Sequence, residues 1–163
     1  MLTFRPSKTL ARRLQIAVPV TPPPVANRVA DWCVHEFRDR GCRYLIFCNT
    51  ASLYPLVTSA RVVDDESTLI KRGIETMRRN FAGTELEFQF QRWIVPEVSE
   101  VQWAPIPGRA VLGSINELIC LAHADSAKSP VELSSWLAQA PLKVLGYESP
   151  DRVFPKLRGG PTA

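Results

Sequence analysis

The 163-residue chain lacks the features that mark a membrane protein or an exported protein. No apolar run approaches the roughly 20 residues that a helix needs to span a bilayer. The basic N-terminal stretch MLTFRPSKTLARRL is not followed by an apolar core or by a small-residue cleavage site. We therefore expect no signal peptide, no membrane partner and a cytoplasmic location.

Motifs of several common enzyme classes are also missing. The chain has no GxSxG nucleophile elbow, no Walker loop and no dinucleotide fingerprint. Its only histidines are His35 and His123. A catalytic pair of Cys33 or Cys48 with His35 is conceivable, but a core histidine beside buried thiols explains the same residues. Whether the protein is an enzyme stays open at this point.

Cysteine is scarce, and none of the four cysteines forms a CxxC pair: Cys33, Cys42, Cys48 and Cys120. Without an export signal, buried reduced thiols are expected. Three of these cysteines lie near His35 in sequence, but Cys42 and Cys48 would stand at opposite ends of one strand, roughly 20 Å apart. Only Cys33, His35 and Cys48 could then converge, and three side chains are too few for a structural zinc site, which needs four ligands. We therefore predict no metal and no cofactor.

The composition is that of an ordinary soluble globular protein, with 45% hydrophobic and 22% charged residues. A chain of this length is expected to fold as one domain. We predict a single domain over 1–157, followed by a frayed tail at 158–163.

Hydrophobic patterning predicts an α+β fold in which three or four helices cover a small, mainly antiparallel sheet. Residues 29–37 are tolerable as a helix, but the strand RYLIFCN and the turn RDRG favour a hairpin. Residues 85–95 fit a strand or a helix equally well. The predicted strands are 2–5, 31–38, 43–48, 53–62 and 100–105, and the predicted helices are 64–82, 114–124 and 129–139.

The net charge of +4 is concentrated near the N-terminus, where residues 1–43 hold eight basic and three acidic side chains. Such a cluster attracts phosphates or an acidic partner, although a solvated face would also explain it. Nucleic acid is therefore one candidate partner. The basic patch that would bind it consists of Arg5, Lys8, Arg12 and Arg13.

The stretch RAVLGSINEL at 109–118 allows a functional and a structural interpretation. If Gly113 and Ser114 precede a helix, their free backbone N–H groups could hold an anion, with Arg109 adding donors and Asn116 orienting the ligand. Alternatively, Ser114 is only an N-cap, with Glu117 three residues later completing a capping box.

This stretch resembles a motif of a family of small, mostly bacterial proteins with a domain of unknown function. Its members carry Arg-Ser-Val-Leu-Gly-Ser-Met-Asn-Asp, which corresponds here to residues 109–117. Upstream, KTLARRL, Trp32 and YLIFCNTASL are similar to weaker family patterns, so the resemblance spans roughly 5–125. Ala110 and Glu117 depart from the family motif, so the chemistry of the residues they replace is not essential here. The resemblance implies an α+β domain, and it does not indicate any particular activity.

Three functions are compatible with these observations. The first is an interaction or regulatory protein that binds a protein partner through a surface including Arg109; a mobile-element, toxin–antitoxin or defence setting would suit it. The second is an enzyme or binder acting on a nucleotide or RNA phosphate through Arg109, Ser114 and Asn116. The third is nucleic-acid binding through the basic patch. The oligomeric state stays open. The candidate binding residues are Arg109, Gly113, Ser114, Asn116, Trp32 and Asn49.

Overall fold

A five-stranded sheet forms the centre of the computed structural model, which describes residues 1–125 and 128–160. The strands are β1 Leu2–Pro6, β2 Asp31–Asp39, β3 Cys42–Asn49, β4 Pro55–Ser59 and β5 Val101–Trp103. They lie in the order β4-β3-β2-β1-β5. β3 is antiparallel to β2 and β4 over long registers, whereas β1 is parallel to β2 and to β5 over shorter ones. The predicted α+β class with a mainly antiparallel sheet is confirmed.

Helices cover both faces of this sheet. The α-helices of the described chain are α1 Lys8–Leu14, α2 Glu66–Phe81, α3 Glu87–Gln89, α4 Arg109–Ala124, α5 Pro130–Leu137 and α6 Pro150–Val153. Short 3-10 turns occupy Arg28–Ala30, Val95–Glu97, Lys143–Leu145 and Phe154–Lys156, and a π-helical turn occupies Phe90–Ile94. The ambiguous segment 85–95 is therefore helical from Glu87 onward.

The β2–β3 hairpin is the best-specified part of the sheet. Its connection is the dipeptide Arg40–Gly41, and both residues have positive φ, at 49° and 78°. Two-residue turns of this kind match the twist of an antiparallel pair. The hairpin that the turn residues predict is thereby confirmed.

Alternating side chains of the central strands pack into two separate hydrophobic cores, one on each face of the sheet. On one face, Trp32 and Val34 pack with the apolar side of α2 and with Phe154. On the other face, Cys33 and Phe37 pack with apolar residues of α4 and α5. Since successive side chains of a strand point to opposite faces, the two-sided burial explains the nearly continuous apolar run in β3.

A close approach to the sheet explains the glycine in the middle of α2. A Cβ placed on Gly73 would lie 2.8 Å from Cζ of Phe4 and 3.0 Å from Cε1 of Phe47. The helix begins with a capping box between Asp65 and Thr68. Gly73 therefore lowers helix propensity slightly but lets α2 lie directly on the aromatic side chains of β1 and β3.

The start of α4 corrects the expected capping box at Ser114 and Glu117. The helix begins at Arg109, five residues earlier, and Gly108 precedes it with φ of 86°. L side chains rarely adopt that conformation, so the glycine fixes the point where the chain turns into the helix. Ser114 lies inside α4, where its Oγ donates to the carbonyl of Ala110 at 2.9 Å. Ser114 and Glu117 are therefore two positions inside one helix and do not form its cap.

Two other helices, α1 and α5, begin with serine caps. Ser7 caps α1 by accepting from the N–H of Leu10 at 3.2 Å. Ser129 and Glu132 form a capping box at the start of α5. The fourth strand is shorter than the predicted 53–62, because Leu53 has φ of 59° and belongs to the turn that precedes β4.

The C-terminal end of the described chain returns to the body of the domain. A Cβ on Gly159 would lie 2.5 Å from Cε3 of Trp93 and 2.6 Å from Oδ1 of Asn27. Gly159 thus lies directly against the 3-10 turn before β2 and the π-helical turn. Residues 161–163 of the predicted tail lie outside the described residues.

Candidate functional site

The Arg109 segment lies along α4, with one half of the helix facing away from the sheet. Ile115 and Leu118 are fully buried against the hairpin. Arg109, Gly113 and Asn116 are exposed. Their spacing of four and three residues places them on one side of the helix. We call the exposed side formed by Arg109, Leu112, Gly113, Asn116, Glu117 and Cys120 the α4 outer face.

The polar side chains of the α4 outer face have no partner within the part of the chain that the structure describes. Neither Arg109 nor Asn116 makes a hydrogen bond or an ion pair there. A Cβ added to Gly113 would meet nothing within 4 Å, so the middle of the face is open. Leu112 keeps 39% of its surface exposed beside it. The face combines one cation, one carboxylate, an amide and a small apolar area.

Ser114 does not join Arg109 and Asn116. It is 7% exposed and its hydroxyl is bound to the carbonyl of Ala110. At 3.6 residues per turn, its side chain points about 140° away from Arg109 around the helix axis. The N–H groups of Gly113 and Ser114 lie in the second turn, where helical N–H groups bond to carbonyls four residues earlier. The expected anion-binding helix start is therefore not formed by these residues.

Trp32 and Asn49 lie away from the α4 outer face. Trp32 is fully buried in the core on the opposite face of the sheet, where its Nε1 donates to the carbonyl of Val29 at 2.8 Å. Asn49 is also fully buried at the end of β3. Its Nδ2 donates to the carbonyl of Arg28 at 2.9 Å, and its Oδ1 accepts from the N–H of Ser52 at 2.9 Å. Both side chains hold the fold together, and neither is available to a ligand.

The basic patch is divided by internal ion pairs. Arg5 is 7% exposed and bonds to both carboxylate oxygens of Asp31. Arg13 is half-buried and pairs with Glu36 at 2.7 Å. Lys8 and Arg12 remain exposed on α1. The cationic surface that could meet a phosphate backbone is therefore smaller than the sequence suggests.

The cysteines and histidines do not form a catalytic or metal-binding group. Burial raises the pKa of the Cys33 thiol to about 12 and raises that of Cys48 well above its usual value. A nucleophilic thiol needs a lowered pKa, so neither fits that role. Cys42 and Cys120 are exposed, which corrects the expectation of four buried thiols. Within residues 1–125 and 128–160, no group of three or more potential ligands could hold a metal ion.

Sequence reasoning missed one concave surface, which we call the arginine groove. It lies between β4, α2 and the start of α5 and has a volume of about 370 Å³. Arg61, Arg72 and Arg79 line it together with Glu75. Only the spacing of Arg72, Glu75 and Arg79 along α2 hints at a shared face. The opposite wall comes from β4 and α5, which are remote in sequence.

None of the helices in the described chain has both the length and the apolar character of a membrane-spanning segment. The family model of the domain of unknown function DUF6933 matches residues 3–153 of the chain. No curated protein and no solved structure matches the chain. Because the family model covers nearly all of the sequence, the chain belongs to the family of proteins that carry the domain of unknown function DUF6933.

Proposed function

We propose that the protein is an interaction module that binds a partner protein on the α4 outer face. The observation that carries the proposal is that Arg109 and Asn116 project from this face without any partner in the described chain, on either side of an open Gly113. In contrast, Arg5, Trp32 and Asn49 are buried and satisfied within the fold.

Gly113 gives this face its shape. A glycine in the interior of an exposed helix lowers stability by about 1 kcal/mol relative to alanine. It stabilises no internal contact here, because the space around it is empty. A partner backbone can approach α4 closely at this point, as small residues allow in helix pairs. The glycine is therefore explained by docking and not by folding.

The charges on either side of Gly113 define the chemistry of the partner. Arg109 lies one turn before the glycine and Glu117 one turn after it. A partner helix with a carboxylate opposite Arg109 and a cation opposite Glu117 would complement both. Leu112 adds an apolar contact, and Asn116 can donate and accept hydrogen bonds. Within this proposal the protein is bacterial, which the resemblance to the bacterial motif family supports, and it is cytoplasmic, as the sequence leads us to expect.

The test is affinity capture from a bacterial lysate with the wild-type protein and with Arg109→Glu and Asn116→Arg variants. Both substitutions are on the exposed face, so the fold should persist. Lys8→Glu on exposed α1 is the matched control. We expect a stoichiometric partner that the wild type and the Lys8 variant capture and that the two α4 variants lose. A partner retained equally by all four proteins would contradict the proposal.

Two exposed cysteines report where the partner binds. Cys120 lies on the α4 outer face, whereas Cys42 lies at the start of β3. In the captured complex, alkylation of Cys120 should slow at least tenfold while that of Cys42 is unchanged. Protection of Cys42 alone would place the partner elsewhere and contradict the proposal. Analytical ultracentrifugation of the purified protein distinguishes a different protein from a second copy of the chain as the occupant.

A further inference from the structure

The arginine groove has an excess of positive charge. Three guanidinium groups, those of Arg61, Arg72 and Arg79, line it against the one carboxylate of Glu75. Glu75 pairs with Arg79 at 2.7 Å. Among the described residues, no carboxylate pairs with Arg61 or Arg72. Two positive charges therefore remain without a counter-ion in one concave surface.

Arg72 is held in place by the backbone. It is half-buried, and its Nη1 donates to the carbonyl of Ser59 while Nη2 donates to the carbonyl of Arg61 at 3.0 Å. These bonds fix the guanidinium at the end of β4 without neutralising its charge. A guanidinium positioned in this way loses little conformational freedom when an anion binds.

The outer edge of β4 is already occupied, so the groove does not suit an added strand. Pro55 has no N–H, and the N–H of Val57 donates to Oγ of Ser134 at 2.7 Å. The carbonyl of Ser59 accepts a hydrogen bond from Arg72. Strand addition depends on a row of free backbone groups, which this edge does not offer. Recognition in the groove must therefore come from side chains.

The lining of the groove also includes apolar side chains that are partly exposed. Val62 is 67% exposed and Val131 is 44% exposed, and Val57 and Pro130 line the groove as well. Val62 has φ of 66°, a conformation that is strained for a β-branched residue. The flanking bond from the N–H of Val63 to the carbonyl of Ala60, at 3.2 Å, holds the turn in that shape. The structure thus keeps an apolar side chain at the rim of a cationic groove despite strain.

We propose that the arginine groove binds a small organic phosphate, a ligand that goes beyond the proposed docking on α4. A phosphomonoester carries a charge of about −1.5 to −2 at pH 7, which matches the two uncompensated arginines, whereas a single carboxylate does not. Its three oxygens accept the forked donors of guanidinium groups. The organic part lies against Val62 and Val131. A volume of about 370 Å³ is at the lower end of the range for small-molecule sites, so the ligand is of mononucleotide size and not a polymer.

Isothermal titration calorimetry of the full chain tests the site with four probes: adenosine 5′-monophosphate, adenosine, inorganic phosphate and citrate. We expect saturable binding of one adenosine 5′-monophosphate per chain, at least tenfold tighter than each of the other three. Citrate separates charge alone from phosphate recognition. Tighter binding of citrate than of adenosine 5′-monophosphate, or no saturable binding of the mononucleotide, would overturn the proposal.

Three variants locate the binding site. Arg61→Gln and Arg79→Gln each remove an exposed cation of the groove and should weaken binding of adenosine 5′-monophosphate at least fivefold. Glu75→Gln should strengthen it severalfold, because it removes the carboxylate that competes for Arg79. A merely destabilised protein would not gain affinity. Arg12→Gln on exposed α1 is the matched control and should bind as the wild type does. Unchanged affinity in the Arg61 and Arg79 variants, or weaker binding in the Glu75 variant, would overturn the assignment.

Discussion

Arg5 and Asp31 are joined by two hydrogen bonds across the parallel strands β1 and β2. Nε lies 2.7 Å from Oδ1 and Nη2 lies 3.1 Å from Oδ2, and each side chain is 9% exposed. A third bond runs from Nη1 to the carbonyl of Pro105 at 2.6 Å. The same arginine therefore connects the first strand to the second and to the segment that leads into α4.

Removing this arginine should destabilise the protein strongly. Arg5→Met leaves Asp31 buried with the hydroxyl of Thr50, at 3.1 Å, as its remaining side-chain donor. Breaking a buried pair in this way costs about 3–5 kcal/mol. Arg79→Met is the control, because its pair with Glu75 is exposed and such pairs contribute about 1 kcal/mol or less. Urea unfolding measures both, and equal losses in the two variants would contradict the structural role of Arg5.

Local sequence patterns predicted the parts of the fold whose signals lie close together in the chain. The hairpin followed from alternating strands around Arg40 and Gly41, and the predicted helix start at residue 129 lies at the capping box of Ser129 and Glu132. The same serine–glutamate spacing failed at Ser114, because two positions inside a helix show it as well. The helix begins after Gly108, which has a positive φ, and this backbone conformation cannot be recognised from the sequence alone.

The candidate sites depend on contacts between distant residues, which is why the sequence predicted them poorly. The sequence predicts that Arg5 belongs to a basic patch, because its partner, Asp31, is 26 residues away and meets it only through the β1–β2 register. The arginine groove needs α5 to lie beside β4, and the hydrogen bond that joins them links Val57 and Ser134, 77 residues apart in the chain. In contrast, the exposure of Arg109 and Asn116 follows from helical periodicity once the helix start is known.

Gly73 and Gly113 should respond in opposite ways to alanine. Both lie inside sixteen-residue helices, so alanine contributes about 1 kcal/mol of helix propensity at either position. At Gly113 nothing opposes this gain, and we expect the free energy of unfolding to rise by about 0.5–1 kcal/mol. At Gly73 the methyl group meets Phe4 at 2.8 Å, and overpacking of about 1–3 kcal/mol should outweigh the gain.

Thermal unfolding of the two variants checks this contrast. Gly113→Ala should melt above the wild type and Gly73→Ala below it. If the α4 outer face docks a partner through Gly113, the more stable variant should also bind that partner less tightly. A lower melting temperature for Gly113→Ala would show that an internal contact, and not docking, accounts for the glycine.

The four thiols should divide into two classes. Cys42 and Cys120 are exposed, while burial raises the pKa of Cys33 and of Cys48. Because the thiolate is the reactive form, we expect the native protein to react rapidly with a disulfide reagent at two thiols only. All four should react in denaturant. Replacement of both Cys42 and Cys120 by serine should abolish the fast phase. A fast phase that survives would mean that Cys33 or Cys48 is accessible.

His35 should make the protein less stable as the pH falls from 6.5 toward 4. The side chain is 7% exposed on β2, and burial lowers its pKa to about 4 from an ordinary value of 6.5. Its Nε2 has no hydrogen-bond partner within the described structure, so nothing there compensates a charge. Between these two values the unfolded chain binds the proton and the folded chain does not, so stability is lost as pH decreases. The loss over the whole range is about 3 kcal/mol, since each pKa unit corresponds to about 1.4 kcal/mol.

Urea unfolding at pH 7.0, 6.0 and 5.0 measures this dependence. The variant His35→Leu should remove most of the decrease between pH 6.5 and 5, because it leaves no titrating group at this position. His123→Asn is the matched control: His123 is the only other histidine, and it lies exposed beside Asp39 at 3.1 Å. This control should keep the decrease that the wild type shows. If the decrease persists in His35→Leu and disappears in His123→Asn, the dependence belongs to the surface pair and not to the buried imidazole.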